Sequence, residues 1–260
     1  MVKSNGFYHR GLDEMKKISL VCASITLFFG SIFLQAQEIE MPAGAVVRVS
    51  NCVMTSDRFT FEELVERARS LDFDENAPNA LFFRRPIYTS GEYQENYDLQ
   101  IAAYYSSVTE MVDRRVASGD DSYGRLPISC TAPMVIRTIN INPNNSDWDE
   151  TAMTTRRCSL AADSSMRSAY SRFKTGAENF SAAGNDSLLQ MSLPLMGGNL
   201  DPDFDFVLAT VGSTRQETTE RIDMFRDGFR PLRNTPSDSP FFSCGRYSMW
   251  GTSRIHTADQ

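Results

Sequence analysis

Histidine is nearly missing from this chain, which has two histidines among its 260 residues. His9 precedes an N-terminal apolar run, and His256 lies close to the C-terminus, where we expect a solvated tail residue. This scarcity argues against a histidine-based catalytic triad, a multi-histidine metal site and a conventional haem ligand. We therefore predict no catalytic residues, no bound metal and no cofactor.

Recognisable catalytic and nucleotide-binding motifs are missing as well. The sequence has no Cys-x-x-Cys pair, no Gly-x-Gly-x-x-Gly fingerprint, no Walker loop and no Gly-x-Ser-x-Gly elbow. The sequence therefore leaves the question of catalysis open and leans against an enzyme.

The chain also lacks a surplus of positive charge. Lys and Arg total 26 against 33 Asp and Glu, which gives a net charge of −7. The arginines are scattered along the chain and form no basic cluster. Because nucleic acid is a polyanion that an acidic chain repels, we predict no nucleic-acid partner.

The N-terminal segment has the features of a secretory signal peptide. Lys16 and Lys17 precede an apolar run over residues 18–34, which ends in LQAQE. The run is shorter than the roughly 20 residues of a membrane-spanning helix, so we predict cleavage near Ala36 and not an uncleaved anchor. Met15 would begin a conventional signal by itself and is an alternative start. We therefore predict an exported protein, periplasmic or extracellular, with no membrane span after cleavage.

Four stretches of sequence recur in the same order, roughly 110 residues apart. The matched pairs are 48–57 with 155–164, 81–88 with 189–196, 97–107 with 204–214, and 127–130 with 240–244. The shared order favours an internal duplication over chance. We predict a signal peptide at 1–36, a first repeat at 37–141, a polar linker at 142–153 and a second repeat at 154–260.

Each repeat has the same predicted order of elements, β-α-β-β-α-β. In the first repeat, alternating residues over 46–54 predict a strand, and Thr60 with Glu63 forms a capping box before a helix. Further strands are predicted at 81–88, 97–105 and 128–139. This order is that of a ferredoxin-like unit. We therefore predict an α+β fold of two tandem ferredoxin-like units packed sheet to sheet.

Four cysteines remain after the predicted signal peptide: Cys52, Cys130, Cys158 and Cys244. Four cysteines allow three pairings, and an exported protein meets an oxidising compartment. In the usual ferredoxin-like unit the first and fourth strands are antiparallel neighbours, which brings the two cysteines of each repeat together. The pairing of Cys52 with Cys130 and of Cys158 with Cys244 is the one that is the same in both repeats. We predict these two disulfides.

Two ferredoxin-like units fused in tandem resemble the dimeric α/β-barrel superfamily, which includes the antibiotic-biosynthesis monooxygenases, muconolactone isomerases and haem-degrading enzymes. The resemblance covers nearly all of the chain after the signal peptide and rests on the order of elements. It implies a monomeric pseudo-dimer, with small ligands bound between each sheet and its own helices. It implies no particular reaction.

Polar side chains alternate with apolar ones along the predicted strands. The candidate ligand-binding residues are Arg84, Tyr88 and Gln100 in the first repeat, and Gln190, Ser192 and Trp250 in the second. A strand face that mixes polar and aromatic groups suits a ligand cleft, the polar part of a seam between two sheets, or the surface.

Three functions are compatible with these features. We favour a non-catalytic exported protein that binds a small ligand or an envelope protein, because the chain after the signal peptide is so poor in the usual proton-transfer residue. One alternative is a cofactor-independent oxygenase or isomerase of the dimeric α/β-barrel type. The other is a structural envelope protein.

Overall fold

The computed structural model describes residues 40–89, 97–118, 125–143, 148–198, 204–232 and 242–258. Residues 41–260 form one compact unit. The predicted signal peptide and its predicted cleavage point near Ala36 lie outside the described residues. Of the helices in the described ranges, none is both long and apolar enough to span a lipid bilayer.

The described residues form ten strands and four helices. The strands are β1 Ala45–Met54, β2 Ala80–Tyr88, β3 Leu99–Tyr105, β4 Ile128–Cys130, β5 Met134–Asn140, β6 Glu150–Leu160, β7 Leu188–Gly197, β8 Phe206–Val211, β9 Phe242–Cys244 and β10 Ser248–Thr257. The helices are α1 Phe61–Arg69, α2 Val108–Ser118, α3 Met166–Ala182 and α4 Arg215–Arg226. Strand β6 begins at Glu150, within the segment predicted as a linker.

Local sequence signals set where individual elements begin and end. The Thr60 hydroxyl accepts a hydrogen bond from the Glu63 backbone N–H at 3.2 Å, and the Glu63 carboxylate accepts one from the Thr60 N–H at 2.8 Å. This reciprocal pair confirms the predicted capping box at the start of α1. The strand predicted over 128–139 is divided into β4 and β5. Pro133, which lacks a backbone N–H, lies between the two parts.

Eight of the strands form one closed antiparallel barrel. The order around the ring is β10-β2-β3-β1-β5-β7-β8-β6, and pairing of β6 with β10 closes it. The short strands β4 and β9 pair with β1 and β6 beside this ring. Closure leaves no free strand edge in the ring, so the backbone groups of each strand have partners on both sides.

The predicted α+β fold of two ferredoxin-like units packed sheet to sheet is wrong. The first half of the chain, β1 to β5, and the second half, β6 to β10, contribute to a single barrel because β2 pairs with β10 and β5 pairs with β7. In the described residues the architecture is mostly β, with the four helices outside the barrel wall. Alternation along a strand identifies residues that share a face, but it does not identify which strand edges meet.

Both predicted disulfides are present, and each fastens a short strand to a long one. Cys52 on β1 is bonded to Cys130 on β4, and Cys158 on β6 is bonded to Cys244 on β9. In each pair the cysteines face each other directly in antiparallel register. The bonds join residues 78 and 86 positions apart, so each closes a long loop and restricts the unfolded chain.

Side chains alternate between the two sides of the barrel wall. In the first half, the outward side chains of β1, β2 and β3 form one apolar core with α1 and α2. Its buried members include Val46, Leu64, Val65, Leu81, Phe83, Leu99, Ile101 and Met111. The inward side chains of the same strands, such as Val47, Val49 and Ala102, face the barrel interior. Ligand-sized space can therefore exist either inside the barrel or between its wall and the helices.

Candidate functional site

Each of two concave spaces contains a buried arginine. The outer cleft, of about 440 Å³, lies between the barrel wall of the second half and helices α3 and α4. Its lining includes Thr154, Arg156, Phe173, Gly176, Phe180, Leu189, Leu208, Thr210, Thr218, Arg221, Ile222, Phe225, Arg230, Pro231, Leu232, Phe242, Cys244 and Tyr247. The barrel cavity, of about 100 Å³, lies inside the barrel between both halves.

Helix α3 supplies an aromatic wall of the outer cleft. Phe173, Gly176 and Phe180 lie on one face of the helix because they are three and seven residues apart. Phe180 is almost fully buried, and its ring meets the edge of Phe225 on α4 at a centroid distance of 5.2 Å. Gly176 leaves a gap in this wall, since a Cβ atom there would meet Leu232 only at an ordinary contact distance of 3.5 Å.

Arg221 on α4 carries the main charge of the outer cleft. Its side chain is 6% exposed, and its guanidinium lies 3.8 Å from the centroid of the Phe180 ring, a cation–π contact. Among the described residues it donates one hydrogen bond, a long one of 3.4 Å to the Ser187 carbonyl oxygen. A guanidinium has five N–H donors, so most of its hydrogen-bonding capacity is unused.

Burial changes the proton affinity of this arginine. Desolvation lowers the pKa of Arg221 to about 10, while Coulombic interactions with Tyr247 and Glu217 act in the opposite direction. The guanidinium is still charged at neutral pH, but the apolar surroundings disfavour that charge. An anion beside it would offset the cost of desolvation.

A second arginine, Arg156, organises the rim of the outer cleft. Its Nε donates to the Gly245 carbonyl oxygen at 2.9 Å, and its Nη2 donates to the Cys244 carbonyl oxygen at 3.0 Å. Its guanidinium also lies 4.7 Å from the ring centroid of Tyr247. Arg156 thus holds the segment between β9 and β10 against β6. The Cys158–Cys244 disulfide fixes the same segment.

The described lining of the outer cleft suits recognition of an apolar anion. It contains the three arginines at 156, 221 and 230 among aromatic and aliphatic side chains, and it includes no carboxylate and no histidine. Arg230 is exposed and donates to the carbonyl oxygens of Phe225 and Phe229. Positive charge and apolar area are therefore both available to one ligand.

The structure brings five of the six predicted ligand-binding residues together in the barrel cavity. Arg84, Gln100, Gln190, Ser192 and Trp250 all line it. They come from strands β2, β3, β7 and β10, which belong to both halves of the chain. Their inward position reflects the alternation of side chains along each strand.

Hydrogen bonds connect many of these inward side chains. Arg84 donates through Nη1 to Gln100 Oε1 at 3.3 Å and through Nη2 to the Tyr104 hydroxyl at 2.9 Å. The Trp250 indole donates to the Thr155 hydroxyl at 2.9 Å. Three more polar pairs are Gln100 with Asn51 at 3.2 Å, Gln190 with Asn140 at 2.8 Å, and Thr138 with Ser192 at 2.9 Å.

Two other residues singled out from the sequence lie elsewhere. Tyr88 is 72% exposed at the end of β2 and does not line the barrel cavity. His256 is half-buried on β10, and its ring stacks on Phe73 at a centroid distance of 4.4 Å. The expectation of a solvated tail residue is therefore wrong for His256, because β10 extends almost to the C-terminus and pairs with β2.

The family resemblance implied a ligand site between each sheet and its helices, but none of the candidate residues chosen from the sequence lines the outer cleft. The signals were present: Gly176 interrupts the aromatic stripe of α3, and Arg221 lies one turn before Phe225 on the face of α4 that covers the barrel wall. A glycine within an apolar helix face and an arginine on such a face both indicate a space that apolar packing does not fill.

No protein-family model and no curated protein matches the chain. Several solved structures resemble it. An anthrone oxidase-like protein has 8% identity and a TM-score of 0.42, over 84% of this chain and 98% of that one. A heme-binding protein from Thermus thermophilus has 10% identity and a TM-score of 0.45, over 82% of this chain and 92% of that one.

A variant of chlorite dismutase from Candidatus Nitrospira defluvii has 10% identity and a TM-score of 0.44, over 81% of this chain and 91% of that one. These are dimeric α/β-barrel proteins, the superfamily that the sequence resembles. At such low identity and TM-score, no activity carries over from them to this chain.

Proposed function

We propose that this chain is an exported binding protein for a small, largely apolar anion, which it holds in the outer cleft. The observation that carries this proposal is Arg221, a buried guanidinium on an apolar wall with no ion pair to any described carboxylate. Burying an unpaired charge is unfavourable, so such a group is most stable when a ligand supplies the opposite charge.

The size and composition of the outer cleft support an organic ligand. Its volume of about 440 Å³ lies within the range of roughly 300–1,000 Å³ for small-molecule sites. Phe173, Phe180, Phe225 and Phe242 offer ring surfaces that would bury the apolar part of the ligand. An aromatic or medium-chain aliphatic carboxylate has both the required charge and the required apolar surface.

The lining does not fit a histidine-ligated haem. Haem iron needs an axial ligand from the protein, and the described lining includes no histidine, while the sulfur of Cys244 is in a disulfide. His256 stacks on Phe73 and is not among the lining residues. We therefore derive no chemistry through a histidine- or thiolate-ligated haem for this cleft.

Binding is favoured over catalysis because the described lining offers cations and hydroxyls but no carboxylate or imidazole. General acid–base catalysis needs a side chain that exchanges a proton near neutral pH. Arg156 and Arg221 instead provide fixed positive charge, which is suited to holding an anion.

Export is part of the proposal. The apolar run at 18–34 and the two disulfides are the features that support it, since disulfides persist mainly outside the reducing cytosol. N-terminal sequencing of the protein from a fractionated cell should give a chain that begins near residue 37. A cytosolic protein that retains residues 1–36 would contradict export.

The proposed ligand class can be tested with 1-anilinonaphthalene-8-sulfonate, a fluorescent aromatic anion. We expect saturable fluorescence enhancement with the folded protein, and competition by decanoate that exceeds competition by decanol. Arg221→Met should remove the preference for the acid over the alcohol. Because a charge-assisted hydrogen bond contributes about 1.5–3 kcal/mol, we expect roughly 10- to 100-fold weaker decanoate binding.

Arg226→Met is the matched control for this experiment. Arg226 lies on the same helix as Arg221, but its side chain is largely exposed and pairs with Asp223 and Asp227. This variant should bind decanoate as the natural protein does. Equal competition by decanoate and decanol in the natural protein would contradict the proposal, as would equal losses in the two variants.

A further inference from the structure

The barrel cavity contains a buried cation that the described side chains do not neutralise. Arg84 is 8% exposed and forms no ion pair with a described carboxylate. Its neighbour Arg85 points to the opposite side of the wall, where it pairs with Glu62 at 2.9 Å. Of these two adjacent arginines, Arg85 thus has a carboxylate partner, whereas Arg84 has none among the described residues.

The hydrogen bonds of Arg84 leave part of its guanidinium facing the cavity. Nη1 and Nη2 each donate one bond, to Gln100 and Tyr104, and both acceptors are neutral. Its Nε is buried and has no hydrogen-bond partner among the described residues. A buried guanidinium with an unused Nε–H lacks the bidentate anionic partner that its geometry favours.

Other groups around the cavity can donate hydrogen bonds to the same ligand. Arg157 also lines the cavity, with its guanidinium 5.0 Å from the ring centroid of Phe204. The hydroxyls of Thr155 and Ser192 lie in the lining as well. The described lining includes no aspartate or glutamate that could pair with the Arg84 guanidinium.

We propose that the barrel cavity binds a small oxyanion through the Arg84 guanidinium. The cavity volume of about 100 Å³ corresponds to roughly three water molecules, which is enough for a nitrate, sulfate or phosphate ion or a small carboxylate but not for the ligand of the outer cleft. The proposal concerns a second site and does not depend on the proposed function.

This site is tested with inorganic anions and acetate alone. The side chain Nε–H resonance of Arg84 is followed by NMR while sulfate, phosphate, nitrate or acetate replaces chloride at constant ionic strength. We expect a saturable shift for at least one oxyanion. Saturation by sulfate or phosphate identifies a tetrahedral inorganic ion, whereas saturation by acetate identifies a carboxylate. No saturable shift with any of the four would overturn the proposal.

The variants Arg84→Met and Arg85→Met give a matched comparison of neighbouring residues. Thermal unfolding of the natural protein and of Arg85→Met should shift to higher temperature as the anion is added, because the anion binds the folded state. Arg84→Met should not respond to the anion, and its midpoint in chloride should be equal to or above that of the natural protein. Equal responses in both variants would show that the effect is not at Arg84.

Two further variants keep the test decisive. Arg84→Lys replaces Arg84→Met in this test if the methionine variant fails to fold. It retains a charge but loses the planar guanidinium, so we expect anion binding to weaken roughly 10- to 100-fold. Gly176→Leu fills the outer cleft and should leave the anion response unchanged. Loss of that response in Gly176→Leu would place the anion in the outer cleft and overturn the proposal.

Discussion

The two halves of this chain cover the barrel wall in different ways. Under α1 of the first half, large apolar side chains such as Leu64, Phe83 and Leu99 are fully buried and fill the space. A concavity of about 460 Å³ in this half lies beside α2, where Val112 and Val116 are exposed. Under α3 and α4 of the second half, the outer cleft of about 440 Å³ stays open. Similar strand pairings therefore support a packed core with an exposed concavity beside α2 in one half, and an aromatic-lined space with a buried arginine in the other.

Side-chain volume accounts for much of this difference. The wall of the outer cleft carries Thr154, Thr210 and Leu208, and Gly176 faces it from α3. Helix α3 has 17 residues against nine in α1, so it extends beyond the sheet face that the shorter helix covers. Small residues on the wall and a glycine on a long helix leave volume that apolar contacts do not fill.

Removal of the disulfides should give the largest effect among the tests of this comparison. Removing either one, as Cys52→Ala with Cys130→Ala or as Cys158→Ala with Cys244→Ala, should lower the free energy of unfolding by roughly 4 kcal/mol, because both close long loops. Cys244 lines the outer cleft, so only the second pair of substitutions should also weaken binding of the anionic fluorophore. Urea unfolding and fluorescence titration measure the two effects.

The first-half variant is the control for that experiment. If its loss of binding equals that of the second-half variant, the cleft depends on global stability and the contrast between the halves is not functional.

Much of the local structure followed from the sequence. Alternation over 46–54 predicted a strand that the structure has as β1, Ala45–Met54. Thr60 and Glu63 predicted the start of α1, and matched positions in the two repeats predicted both disulfides. These features depend on residues close in sequence or on a pairing that recurs.

The features that were missed depend on residues far apart in sequence. The two halves of the chain join where Trp250 on β10 pairs with Pro86 on β2, and no periodicity in either strand specifies that neighbour. The outer cleft depends on side-chain volumes in three separate segments of the chain, which contain Gly176, Arg221 and Leu232. Arg84 and Gln100, which the sequence offered as ligand-binding candidates, both line the barrel cavity, but the sequence did not distinguish a sheet seam from the interior of a barrel.

Leucines at matched positions in the two repeats provide the next test. Leu81 and Leu189 are 1% and 3% exposed; the first lies in the packed core, and the second lines the outer cleft. We expect Leu81→Ala to lower the free energy of unfolding by roughly 3–5 kcal/mol, as in other packed cores. Leu189→Ala should lower it less, by about 2 kcal/mol, because it enlarges an existing space. Equal costs from urea unfolding would contradict an open cleft.

The smallest expected effect comes from Gly176, where a substitution changes both the stability of helix α3 and the volume of the outer cleft. In a helix interior alanine is favoured over glycine by about 1 kcal/mol, and a Cβ atom at this position meets only Leu232, at 3.5 Å. Gly176→Ala should therefore raise the free energy of unfolding by up to about 1 kcal/mol while leaving most of the cleft open. Gly176→Leu should keep the fold but block the anionic fluorophore. If the alanine variant is destabilised, the space beside Gly176 is already filled; if the leucine variant binds normally, the ligand does not occupy the gap in the α3 wall.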